Sequence, residues 1–206
     1  MKEKCLNVLS AILTLIKQHK KAIIGVLAVL VILIIIINLI SNGGKPRKYE
    51  DKVKTAVKAL TSESKMKSAL GDVIDPRGAA AWIEADQDGK EFKKEYKEIK
   101  KDSDEVEDLK KALKKYAESN DGLSWKVKGI KKPEKTSKNK KIYKLSATIV
   151  TEQNGTEVEM PIKVYFYKGK IIDIARKNNS KEESIFEAAL KSYNSSKKSN
   201  DSKDEE

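Results

Sequence analysis

The chain has 206 residues, with 43 basic and 31 acidic side chains, one cysteine and one histidine. Cys5 and His19 both lie within the first 21 residues, which excludes disulfides, thiolate zinc sites and histidine-based catalysis from everything after them. The net charge of +12 belongs to a sequence dense in both signs, so it speaks for solubility first and for an acidic partner second.

Residues 1–21 carry five lysines and one glutamate. Within them Asn7, Ser10, Thr14 and Lys17 form one narrow polar stripe, and Leu6, Leu9, Ile12, Leu13 and Ile16 cover the rest. That spacing predicts a short amphipathic helix, either lying among lipid headgroups or extending the segment that follows it.

Residues 22–40, AIIGVLAVLVILIIIINLI, contain no charge. As a helix they span roughly 28 Å, the thickness of a bilayer's hydrocarbon core. A cleaved signal peptide would have a shorter apolar core and a small-x-small cleavage site, but Leu39-Ile40-Ser41 puts a bulky residue there. The segment therefore predicts an uncleaved transmembrane helix and a single-pass protein of the cell membrane. Lys17, Lys20 and Lys21 on one side nearly balance Lys45, Arg47 and Lys48 on the other, so the positive-inside rule hardly decides orientation. The short tail and the thiol-free remainder favour a cytoplasmic N-terminus and an extracytoplasmic domain. Residues 41–48 then read as a linker.

From Tyr49 to about Leu70, Val53, Val57 and Leu60 recur at helical steps. Gly71 and Pro76 break that helix, and a second one is expected over Ala79–Ala85. Phe92, Tyr96 and Ile99 predict a third. Val106, Leu109, Leu113 and Tyr116 predict a fourth, starting at Asp102 or Ser103 and ended by Asn120-Asp121-Gly122. At this spacing the aromatics read as core rather than as a ligand box.

Between them lies EADQDGKEFKKE, a weak candidate calcium loop in which Asp86, Asp88 and Glu95 occupy ligand positions. Glu84 and Glu91 fit that pattern badly, and three lysines lie inside it. The competing reading is a turn that Gly89 allows to bend and that caps the next helix. No other metal site and no cofactor are expected.

The second half switches to period 2. Asn154-Gly155 predicts a two-residue hairpin pairing 153 with 156, 149 with 160, 147 with 162 and 145 with 164. Tyr167-Lys168-Gly169, read as a three-residue loop, pairs Phe166 with Lys170, Val164 with Ile172 and Ile162 with Ile174. Pro161 cannot donate to a ladder, which implies a gap or bulge there. A fourth strand is expected over Leu123–Ile130. The expected inward positions are Trp125, Val127, Tyr143, Leu145, Ala147, Ile149, Val158, Met160, Ile162, Val164, Phe166, Ile172 and Ile174. None is an acid or base suited to proton transfer near neutral pH, so no enzyme activity is expected.

The loop KKPEKTSKNKK is basic. Lys126, Lys128, Lys131, Lys132, Lys135, Lys138, Lys140 and Lys141 together form a candidate anionic-surface patch, for acidic lipid or polymer, unless the loop is simply solvated. It has no arginine and no interleaved aromatic, which argues against nucleic acid. A final helix is expected over Ser184–Tyr193, with residues 194–206 disordered. The domains are thus a tail (1–21), a membrane helix (22–40), a linker (41–48), an α+β domain (49–193) and a second tail (194–206).

The fold class expected is α+β, with several helices packed on a curved antiparallel sheet of about four strands. Helices followed by a meander closing on YFYKGKIIDI resemble the nuclear transport factor 2-like superfamily over roughly Tyr49 to Arg176, without the tryptophan that many members carry after the glycine. Cystatin-like folds are a near alternative. The layout of short tail, one membrane helix and such a domain is similar to a bitopic subunit of type IV secretion and conjugation machines. The resemblance implies a scaffold or assembly subunit whose partners are the lipid bilayer and other membrane or envelope proteins. The alternative is a tethered binding domain for an apolar or wall-derived ligand.

Overall fold

The computed structural model describes residues 48–153, 155–178 and 181–201. The predicted membrane helix, the amphipathic tail before it, nearly all of the linker and the last five residues lie outside these. Among the described residues no helix is long and apolar enough to cross a membrane.

Among the described residues six helices and six strands follow one another: α1 (48–59), then α2 (Glu63–Ala69), α3 (Pro76–Glu84), α4 (Phe92–Glu98) and α5 (Asp104–Ser119). After them come β1 (Lys126–Lys128), β2 (Glu134–Lys135), β3 (Ile142–Gln153), β4 (Thr156–Tyr167), β5 (Lys170–Asn178), β6 (Lys181–Ser184) and α6 (Ile185–Asp201). The sheet is antiparallel, in the order β1–β3–β4–β5–β6, with β2 also paired to β3.

The Asn-Gly hairpin has the expected register, with Gln153 opposite Thr156 and Leu145 opposite Val164. The second hairpin differs. Its turn has two residues, Lys168 at φ 49° and Gly169 at φ 77°, so Tyr167 pairs with Lys170 and Phe166 with Ile171. The register then shifts by one residue, and Tyr165 faces Asp173. The extra residue is Ile172. Pro161 causes no bulge against β3, where it pairs with Thr148. The β5 ladder ends one residue away, at Ile162, so the missing donor has no partner to lose on that side.

Other corrections concern the ends of elements. The first expected helix is two, because the chain turns at Leu60–Thr61 and buries both Leu60 and Met66. α3 begins earlier than expected, with Pro76 at its first position, where a missing N–H costs nothing. β1 is only three residues long, since Gly129 turns left-handed at φ 61°. β2 and β6 were not expected. α6 runs to Asp201 rather than ending at Tyr193. Its distal half leans on α5, with Lys115 Nζ donating to Ser196 Oγ at 3.1 Å and Lys197 lying 3.7 Å from Asp108.

The main core lies on one face of the sheet. Leu145, Ile149, Ile162, Val164, Phe166, Ile171 and Ile174 meet Val53, Val57, Leu60, Met66, Leu109, Leu113 and Phe186, all of them buried. Ile172, expected there, joins a second cluster with Trp82, Ala85, Phe92 and Ile142. Near the β4–β5 turn, apolar packing therefore covers the other face as well. α3 serves both clusters, through Ala79 and Ala80 on one side and Ala81 and Trp82 on the other. Gly78 makes that fit possible, because a Cβ there would lie 2.6 Å from Ile172 Cγ2.

Candidate functional site

The lysines of the basic loop are exposed to solvent, and the loop is held at several points. Lys131 N–H donates to Ser146 O at 2.9 Å, and Thr136 N–H donates to Ile142 O at 2.9 Å. Asn139 Nδ2 donates to Gly89 O at 2.8 Å, and Lys138 Nζ to Asp88 Oδ2 at 2.7 Å. The loop is thus clipped to the turn between α3 and α4.

The same contacts account for the weak calcium loop. Asp88 also accepts Lys90 N–H at 2.7 Å. Lys138 first, and the Lys90 amide second, hold its carboxyl below the usual carboxylate range. Asp86 and Gln87 take the left-handed conformation, at φ 48° and 56°, and Gly89 continues the turn without it. Glu95 lies 3.6 Å from Lys94. Among the described residues no group of three or more carboxylate, imidazole or thiol side chains is gathered for a metal, so Asp86, Asp88 and Glu95 are not brought together as ligands.

The eight lysines of the expected patch separate. Lys126 pairs with Val150 and Lys128 with Thr148, whereas Lys140 and Lys141 precede Ile142 at the start of β3. Lys126 and Lys128 thus lie about 26 Å and about 20 Å along β3 from Ile142, with Lys131 beside Ser146 and Lys135 opposite Tyr143 strung between the two ends. Lys128 lies 3.2 Å from Glu157. At the other end Lys138, Lys140 and Lys141 meet Lys90 and Lys93, lining with Gly89, Phe92, Asn139 and Tyr167 an open groove of about 480 Å³. Lys168 Nζ lies 5.1 Å and 5.2 Å from the ring centres of Tyr96 and Tyr167, and Arg77 stacks 4.5 Å over Tyr96. The structure thus supplies the aromatics that the loop sequence lacks.

A buried acid lies on the second face of the sheet. Asp173 is 0% exposed. Its Oδ1 accepts Ser184 Oγ at 2.7 Å, and Ser184 in turn accepts Glu187 N–H at 3.0 Å, capping α6. Asp173 Oδ2 and Trp82 Nε1 have no hydrogen-bond partner of good geometry. Burial pushes the Asp173 carboxyl up to about 7, against the opposing pull of Ser184, the Ile174 amide and the Trp82 indole. Beside it Tyr165 stacks on Trp82 at 5.1 Å and donates to Glu182 Oε2 at 2.6 Å. Burial first, and Glu182 second, raise the Tyr165 phenol well above its ordinary value. Burial works against ionisation of Glu182, but Lys163 and Tyr165 hold it below the ordinary range.

An open pocket of about 240 Å³ lies against Trp82, Tyr165, Glu182, Lys144 and Gln87. Ser184, at 4% exposure, is closed to a substrate, so the Asp–Ser–amide chain acts as a helix cap rather than as an activated nucleophile. Sequence reasoning missed Asp173 because alternation puts it on the face taken as solvated. The available signal was YFYKG itself, whose outward positions are tyrosines rather than charges.

No family model, no curated protein and no solved structure matches the chain.

Proposed function

We propose that the chain is a single-pass membrane protein whose α+β domain, of nuclear transport factor 2-like type, serves outside the cytoplasm as a scaffold or assembly subunit of the kind used by secretion and conjugation machines. The observation that carries this reading is the filled core. Val53, Val57, Leu60, Val164, Phe166, Ile174 and Phe186 are all 0% exposed, which leaves the space between sheet and helices to side chains rather than to an apolar ligand. A second observation points outward. Leu123 and Val158 are the exposed large hydrophobics among the described residues, at 45% and 40%. Val158 lies opposite Thr151, near the tip of a hairpin whose strands have 12 residues each. Exposed apolar side chains of this size suit docking against another protein.

The test is alkaline extraction of membranes followed by protease treatment of intact cells. The expected result is a chain that stays with the bilayer and a domain that is cleaved from outside. Release into the alkaline supernatant, or a domain untouched until the cells are broken, overturns the reading.

A further inference from the structure

We propose that the groove lined by Lys90, Lys93, Lys140 and Lys141 binds the anionic phospholipid headgroups of the bilayer that anchors the chain. The inference rests on the membrane-anchored reading above and names the partner of the basic site. These four lysines come from the turn and first residues of α4 on one side and the loop before β3 on the other, two segments about fifty residues apart that are clipped together by Lys138–Asp88 and Asn139–Gly89. None of the four has an ion-pair partner among the described residues. Clustered like charges of this kind repel one another and attract a counter-charge. The groove, about 480 Å³, has room for a phosphate headgroup.

Its place in the fold selects the bilayer over a dissolved polyanion. The described chain starts at residue 48, and α1 is pinned to the β4–β5 turn. Tyr49 packs edge-on against Phe166 at 4.8 Å, and Lys52 Nζ donates to Gly169 O. The groove lies at this same end, since Tyr167 lines it and Tyr167 pairs with Ile142, the residue after Lys141. The eight residues from Ile40 to Lys48 reach at most about 29 Å even fully extended. On the membrane-anchored reading a tether of that length lets this end of the domain reach the headgroups, where clustered lysines are drawn to an anionic surface.

The experiment reconstitutes the full chain in vesicles of phosphatidylcholine alone and in vesicles with roughly one-third phosphatidylglycerol. Each sample is then acetylated briefly, and lysine labelling is read by mass spectrometry. Lys126, far from the groove, serves as the internal standard. Labelling of Lys90, Lys93, Lys140 and Lys141 is expected to fall at least about threefold in the anionic vesicles and to recover in about 0.5 M salt. Equal labelling in both vesicles, with the protein floating with both, overturns the proposal and leaves the anchor standing. Failure to float with neutral vesicles overturns the anchor and the proposal together. Equal protection by soluble polyphosphate on neutral vesicles assigns the groove to a dissolved polyanion and overturns the lipid assignment.

Discussion

Asp173 holds a proton that the unfolded chain would release. Its carboxyl sits at about 7 in the fold and near 4 in a solvated chain. Between those values the folded state binds the extra proton, so stability falls as pH rises across that window. The contribution is fully present below about pH 4 and is lost once pH has passed about 7. Little else titrates there, because His19 is the chain's one histidine. The melting temperature is expected to drop by about 5 °C between about pH 5 and pH 8, and Asp173→Asn is expected to flatten that slope. A variant whose profile runs parallel to the parent's would sink the assignment. The residue was illegible in the sequence for a physical reason: nothing local announces that Trp82, 91 positions away, covers the second face of the strand.

At the scale of elements, what the sequence made legible was what local chemistry decides. Asn154-Gly155 admits one tight turn, and that turn sets twelve strand pairs. Lys168-Gly169 fits a two-residue or a three-residue loop equally well, so the bulge at Ile172 emerges only from packing. Gly78→Ala tests that packing directly. The new Cβ would lie 2.6 Å from Ile172 Cγ2 and 2.9 Å from Asp75 Oδ2, overpacking of a kind that costs about 1–3 kcal/mol. Urea unfolding with an unchanged midpoint would contradict it. α6 divides in the same way. Its first turn buries Phe186 completely, whereas its tail makes exposed contacts such as Lys197–Asp108 at 3.7 Å. Phe186→Ala is expected to cost about 3–5 kcal/mol. Ending the chain at Tyr193 should cost less than about 1 kcal/mol, as judged from the same unfolding curves. A polar composition predicts disorder from residue 194 onward, and what makes residues 194–201 helical is a neighbouring helix.

At the largest scale, the domain from Lys48 onward has two unlike ends. Val158 lies opposite Thr151, nine residues along β3 from Ile142, so roughly 30 Å separates it from the lysine groove. The chain enters at the basic end. That polarity was invisible while the eight lysines of the patch were treated as one surface, because only strand pairing reveals which of them share an end. It also fixes where the domain begins. Residues from Lys48 onward form one compact unit, and α1 is part of its core, since Val53, Val57 and Leu60 are 0% exposed. Burying three such side chains stabilises a fold by about 1.5–3 kcal/mol each, together comparable with the whole stability of a typical domain, roughly 5–15 kcal/mol. A fragment starting at Lys48 is therefore expected to melt cooperatively within a few degrees of the full chain in detergent. A fragment starting at Glu63 retains the sheet and five helices but loses those three anchors, and it is expected to show no cooperative transition. If the shorter fragment melts as sharply as the longer one, α1 is an extension of the linker rather than the first element of the domain.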